Sequence, residues 1–332
     1  MKNIFVLGSV ITLAALLTGC SAAFHTTNSG PVVDKNYDFK NFTDIELSSA
    51  FQYDIKQGDN YSVVISAPQK VFERIDARQS GDTINVGMRF IPFLQDKPRI
   101  TITLPQMNKL DISGSCDGSA TGFVSNSDLV IGVHSSSSLN MDITAGKTTM
   151  DISGSSNISG NLTAADAQID VSSSSRLDMD LTTLKTGIDI SGSSYVSGKL
   201  TAADTQIKVS SSSTLNMSMK TAVTTVSASA SSTIRGTLDA QDCTFTINSS
   251  SRCELTGSAG NTNIETTGSS SMISPGLILK SAYVIVESSS RANIYTNGTL
   301  NFDISGSSTL DYYGNPTIGK ANISSSSRLN HR

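Results

Sequence analysis

Three aspartates, Asp151, Asp170 and Asp189, recur nineteen residues apart, each between two apolar residues. If each interval is one turn of a stack, the carboxylates form a column at one strand spacing, about 4.8 Å. Such a column could offer hard oxygen ligands to Ca²⁺, or a carboxylate pair for acid–base work on a sugar bond. Against both chemistries, Lys208 continues the slot and no Gly-Gly-x-Gly-x-Asp repeat occurs, so a solvated face is expected. The three histidines, His25, His134 and His331, are too scattered for a metal set, and His134 stands where other repeats carry Ser153 and Ser172. Gly114-Ser115-Cys116-Asp117-Gly118 mimics a nucleophile elbow. The same slots read Gly-Ser-Ser-Asn from Gly154 and Gly-Ser-Ser-Tyr from Gly192, with no helix following, so Cys116 is expected to substitute for serine. Cys243 takes a Thr/Ala slot and Cys253 an apolar slot shared with Leu177 and Val196, which makes both small fillers. A Cys243–Cys253 disulfide is chemically open to an exported chain, although the two lie about half a turn apart. Arg176, Arg252, Arg291 and Arg328 share an outward slot but not consecutive repeats, so they form no single basic patch. The expectation is therefore no catalytic residue, no metal site and no cofactor.

The elements that would position these residues are visible as a repeat. From Leu110 the pattern apolar-x-apolar-Ser-(Gly/Ser)-Ser-Ser-x-apolar returns twelve times, with first positions at Leu110, Ile131, Met150, Ile169, Ile188, Ile207, Val226, Phe245, Ile264, Val284, Phe302 and Ala321. Apolar and polar residues alternate inside each copy, which is the period of a strand and not of a helix. One copy cannot bury its own inner face, so the copies must stack into a parallel β-solenoid with coils of about nineteen residues. At about 4.8 Å per coil, twelve coils extend roughly 55 Å. Slots five to seven are a Ser-rich tight corner, where a serine column could form a hydrogen-bonded ladder. Slot five alternates Gly154, Gly192 and Gly268 with Ser173, Ser211 and Ser249, giving a true period of 38. Gly160, Gly198, Gly236, Gly276 and Gly314 are expected to adjoin Met141, Met179, Met217, Leu255 and Ile294, small against large. Lys147, Asp166, Lys185 and Asp204 share one outward slot with alternating charge.

Across 332 residues, charged side chains are 16%, aromatics 6% and Trp absent, with 24 Lys+Arg against 28 Asp+Glu for a net charge of -4. That balance excludes charge-driven disorder, a long coiled coil and a basic nucleic-acid binder. At the N-terminus, Lys2, an apolar run from Ile4 to Leu17 and Leu17-Thr18-Gly19-Cys20 compose a signal of residues 1–19. The run resembles the lipobox of bacterial lipoproteins, which implies cleavage before Cys20 and acylation of that Cys. More than one acyl chain makes anchoring stable. Residues 20–35 are expected to be a tether, and Ser21, which is not Asp, implies the outer membrane by the sorting rule of such lipoproteins.

Residues 36–109 alternate without the nineteen-residue rule and hold most of the larger aromatics, including Phe39, Phe42, Phe51, Phe72, Phe90 and Phe93. They are expected to form irregular first coils and an N-terminal cap, with a helical turn near Gln69 to Arg74; residues 110–332 are the regular repeats. Phe42-x-x-Ile45, Phe51-x-Tyr53-x-Ile55-x-x-Gly58, Val63-x-Ile65, Gly81-Asp82-Thr83-Ile84 and the run Leu110 to Ser115 carry a resemblance to the auto-transporter adhesin head GIN domain family. The resemblance implies an all-β, single-stranded right-handed parallel β-helix and a surface-adhesion role, and it brings no catalytic residues.

The leading functional expectation is a lipid-anchored, non-enzymatic cell-envelope protein whose polar faces bind a glycan or another envelope component, and no nucleic acid. One alternative is a β-helical polysaccharide-active enzyme. Another is a scaffold assembling end to end with copies of itself, because the repeat runs to within three residues of Arg332.

Overall fold

A computed structural model describes residues 30–89 and 97–332. The signal, Cys20, His25, most of the tether, Phe90 and Phe93 lie outside the described residues.

The chain is a parallel β-solenoid of about 12 turns with a spacing of ~19 residues. Its first part comprises β1 (Val32–Tyr37), β2 (Asp44–Leu47), β3 (Gln52–Gln57), β4 (Ser62–Pro68), β5 (Ile75–Ser80), β6 (Thr83–Met88) and β7 (Arg99–Leu104). Next come β8 (Lys109–Ile112), β9 (Asp117–Val124) and β10 (Leu129–Val133). The long wrapped strands are β11 (Ser138–Ile152), β12 (Asn157–Val171), β13 (Arg176–Ile190), β14 (Tyr195–Val209), β15 (Thr214–Ala228), β16 (Thr233–Ile247), β17 (Arg252–Thr266) and β18 (Ser271–Val286). The chain then forms β19 (Arg291–Thr296), β20 (Thr299–Ile304), β21 (Thr309–Tyr313), β22 (Thr317–Ile323) and β23 (Arg328–His331).

All twelve first positions fall in one ladder: Leu110 pairs with Ile131, Ile131 with Met150, and so on through Ile264 with Val284, Val284 with Phe302 and Phe302 with Ala321. Alternation is what holds this register, because a slip of one residue would turn every apolar side chain outward. Each coil then needs two direction changes. One is the bend in the middle of a long strand, as at Ala165 and Asp166, where two successive residues face solvent and the inward set resumes at Ala167. The other is the Ser-rich corner, where slots five and six are both left-handed: Ser173 and Ser174 at φ 56° and 63°, Gly192 and Ser193 at 64° and 63°. Two consecutive left-handed residues reverse a chain tightly.

The serine ladder belongs to slot seven. Ser156, Ser175 and Ser194 are buried there, and each backbone N–H donates to the hydroxyl one coil on: Ser156 to Ser175 at 3.2 Å, Ser175 to Ser194 at 3.2 Å and Ser194 to Ser213 at 3.1 Å. The hydroxyl supplies an acceptor to the turning backbone; the Ser175 N–H shares its bond with the Ser172 carbonyl at 3.3 Å. In slot six the side chains are exposed and the backbone continues the ladder, with Ser174 N–H donating to the Gly192 carbonyl at 2.8 Å.

Large over small holds in the interior: Met141, Gly160, Met179, Gly198, Met217, Gly236 and Leu255 pair in succession. A Cβ on Gly198, at φ 120°, would collide with the Met179 carbonyl oxygen. Gly276 and Gly314 are not in this column, contrary to expectation. Buried Ser274 lies over Leu255, whose N–H it accepts at 2.9 Å, and Tyr312 pairs with Ile294. The register shift between Cys253 and Gly257 moves the glycine out of line.

The leading segment differs from expectation in order. Coil β2–β3 is sandwiched between coil β6–β7 on one side and coil β8–β9 on the other, since Ile45 pairs with both Ile84 and Leu110 and Tyr53 with both Ile100 and Gly118. Ser49 and Ala50, at φ 73° and 64°, form the same left-handed corner as the later coils, with Phe51 filling slot seven. The cap is antiparallel: β4 runs against β7, β5 against β6, and β1 against β4. The expected helical turn is a 3-10 turn over Gln69–Arg74. The tether is shorter than expected, because residues 32–35 are paired in β1, where Lys35 meets Ile65.

Candidate functional site

The residues singled out for chemistry mostly take structural places. Cys116 is buried in slot seven, and burial pushes its thiol above the ordinary range. Cys243 is buried between Thr224 and Thr262, with its thiol pushed up to about 12, and Cys253 is raised by complete burial. All three are free thiols, so Cys243 and Cys253 do not pair. A thiol raised this way is no nucleophile at neutral pH. His134 Nδ1 is hydrogen-bonded to the Ser153 hydroxyl at 2.8 Å, and His331 stacks on Tyr312 at 4.7 Å. Arg176 lies over the Tyr195 ring at 4.5 Å, while Arg252 pairs with Glu254. Among the described residues no group of three His, Cys, Asp or Glu could hold a metal ion.

The aspartate column is present: Asp151 pairs with Asp170, Asp170 with Asp189, and Asp189 with Lys208. Asp170 is held above the usual carboxylate range, first by desolvation, then by the neighbouring charges of Asp189 and Asp151, against a hydrogen bond from Gln168. These residues lie on the short wall of the solenoid, between the bend and the Ser-rich corner. Next to them runs the column Thr149, Gln168, Gly187, Gln206 and Thr225, and beyond it Lys147, Asp166, Lys185 and Asp204. These last four stack in register as expected, yet no ion pair joins them among the described residues, so their charges face solvent unneutralised.

Gly187 leaves room on this wall for the Gln168 amide, whose Oε1 lies where a Cβ on Gly187 would stand. Beside it opens a notch of about 360 Å³ edged by Lys147, Asp166, Lys185 and Asp204. A smaller recess of about 40 Å³ continues from it to Asp189 and Lys208. Amides, carboxylates and ammonium groups thus rim a shallow trough whose floor includes Ala167 and Thr186, an arrangement suited to a ligand with hydroxyls at its edge and C–H groups on its face. A second recess of about 290 Å³, lined by Thr244, Asn263, Glu265, Tyr283 and Ile285, opens further along the same wall. A third cleft of about 410 Å³ lies between the β5–β6 hairpin and the first coils. Several of its charged side chains already have partners: Glu46 with Lys109 at 2.6 Å, Arg78 with Asp76 at 3.8 Å, and Arg89 with the Glu73 carbonyl at 3.1 Å. The short-wall notch is therefore the candidate site. Its amides carry no charge and do not recur beyond two coils, so the only signal of them in the sequence is a glycine between two glutamines when the coils are aligned by slot.

The sequence profile of the family described as "Putative auto-transporter adhesin, head GIN domain" (DUF2807) matches residues 41–203 and 202–316. The chain belongs to this family. The GIN-domain match spans both the sandwiched first coils and the regular stack, which supports treating them as one solenoid. Similar solved structures include a "putative adhesin" from Bacteroides fragilis, at 13% identity over 91% of this chain and 97% of that one, with a TM-score of 0.31. Another so described, from Parabacteroides merdae, has 12% identity over 91% and 97%, with a TM-score of 0.39. A "Putative lipid binding protein" from Parabacteroides distasonis has 14% identity over 91% and 97%, with a TM-score of 0.28. A search of curated proteins finds no match.

Proposed function

We propose that this GIN-domain protein is a cell-envelope adhesin module that binds an extended polysaccharide along its short wall, without turning it over. The observation that carries this reading is the trough over Gly187, in which Gln168 and Gln206 stand one coil to either side. Amide and carboxylate groups can each engage adjacent sugar hydroxyls, and a stretched polysaccharide repeats at close to one strand spacing, so successive sugars would meet equivalent side chains. The test is a glycan array probed with the purified protein and with Gly187→Gln, whose side chain must displace the Gln168 amide from over the glycine and crowd the trough. Loss of the bound glycans in Gly187→Gln, with retention in Thr201→Gln on the opposite wall, supports the reading. Equal binding by both variants removes it.

The same reading holds the protein to the outer membrane through acyl groups on Cys20. Among the described residues no helix is long and apolar enough to cross a membrane. Incorporation of labelled palmitate that is lost in Cys20→Ser would bear out the anchor; wild-type protein that takes up no label, or label retained in Cys20→Ser, would refute it.

A second reading has one observation behind it. A carboxyl raised at Asp170 beside Asp189 one strand away is the pairing that retaining glycosidases use. Here the pair stands on an open wall that excludes no water. New reducing ends released from a bound polysaccharide, and lost in Asp189→Asn, would favour the enzyme and end the binding-only reading.

A further inference from the structure

Four coils beyond Gly187, in the same outward column, Asn263 is followed by Tyr283 and then Asn301. Tyr283 is 36% exposed, a large ring standing on a polar wall. Beside it, one column over, Glu265 precedes half-buried Ile285. The recess these side chains share with Thr244 has a volume of about 290 Å³, room for one ring and too shallow to enclose a larger ligand.

We propose that this recess is a second saccharide subsite, selective for an uncharged N-acetylhexosamine. The proposal rests on the polysaccharide-binding reading and adds the identity of one sugar. An exposed aromatic ring flanked by amides offers what a pyranose needs: an electron-rich face for its apolar C–H side, and hydrogen-bond partners at its rim. Ile285 places an apolar surface beside the ring, where an acetamido methyl would rest, while Asn263 meets the amide or a neighbouring hydroxyl. Glu265 is the one charged group in the lining, so a uronic or sialic acid carboxylate would be repelled and a neutral sugar is not. The Tyr283 ring lies five strand spacings from Gly187, roughly 24 Å along the axis, so one extended polysaccharide can occupy both places.

Saturation-transfer NMR on the full protein tests this with the methyl glycosides of N-acetylglucosamine, glucose and glucuronic acid as probes. Transfer to the acetamido methyl, weaker transfer to glucose and none to glucuronate are expected. The signal should fall at least tenfold in Tyr283→Ala, fall in Ile285→Ser and persist in Tyr283→Phe, with far-ultraviolet circular dichroism unchanged in all three. Equal transfer to all three sugars, or transfer undiminished in Tyr283→Ala, overturns the subsite. If Tyr283→Ala is silent while Gly187→Gln still abolishes polysaccharide binding, the subsite fails alone. If no saccharide binds the wild-type protein at either place, both readings fail together.

Discussion

A buried serine in slot seven and an exposed one in slot six look alike in sequence, yet they carry different loads. Ser175→Ala removes the acceptor of the Ser156 N–H, leaving a buried donor unpaired, and should cost about 1–3 kcal/mol. Ser174→Ala, whose hydroxyl is exposed, should cost well under 1 kcal/mol, about the level of an ordinary surface change. Urea midpoints of the two variants, measured side by side, check the difference. Asp170 adds a pH dependence. Its folded carboxyl is raised, so the folded state binds a proton where the unfolded chain has already released it, and stability at this site falls as pH rises through that window. Asp170→Asn should therefore raise stability at neutral pH, by less than about 1 kcal/mol after solvent screening. The gain should vanish below about pH 3, where both states are protonated. Thermal unfolding of wild type and variant across pH reads this directly, and a gain that grows on acidification would contradict it.

Within a strand, the bend carries a second pattern. Thr183 and Thr221 are hydrogen-bonded across it to Thr186 and Thr224, whereas buried Thr205 faces Ala202 and its hydroxyl finds no partner. Ala202→Thr recreates the pair in the intervening coil and should stabilise by about 1 kcal/mol, seen as a raised urea midpoint. These pairs were not legible in the sequence, because the second slot is Thr at Thr186, Thr205 and Thr224 whether or not the first slot offers a partner, and only the bend brings slots three residues apart into contact. The twelve-fold register was legible, since Ser-Ser corners and apolar first positions repeat at fixed spacing. The sandwiched coil β2–β3 was not: its corner reads Ser48-Ser49-Ala50-Phe51, without the serine in slot seven, and the cap strands β4 and β5 interrupt the count. The aspartate column was legible, but the trough beside it depends on how the Gln168 side chain lies across Gly187, and Tyr283 is the one aromatic in its column from Thr149 to Asn301. Features that do not repeat leave no periodic signal.

For the molecule as a whole, a solenoid is a sum of coils and their interfaces, so coils can be removed if the interfaces still match. Deleting residues 176–213, two coils, brings Gly160 against Met217 and preserves the large-over-small alternation. Deleting residues 176–194, one coil, sets Gly160 against Gly198 and leaves an unfilled space in the core. The two-coil deletion should unfold near the wild-type temperature and the one-coil deletion distinctly below it. The reverse order in a thermal melt would disprove a period of 38. The same stacking sets the binding surface, because the trough over Gly187 and the recess at Tyr283 line one wall at a separation fixed by strand spacing. Isothermal titration of the protein with a length series of the oligosaccharide it binds best is the most direct test. Affinity should climb with each added sugar until the chain spans roughly 24 Å, five coils, and then level off; affinity independent of length, or no binding at any length, would contradict the account.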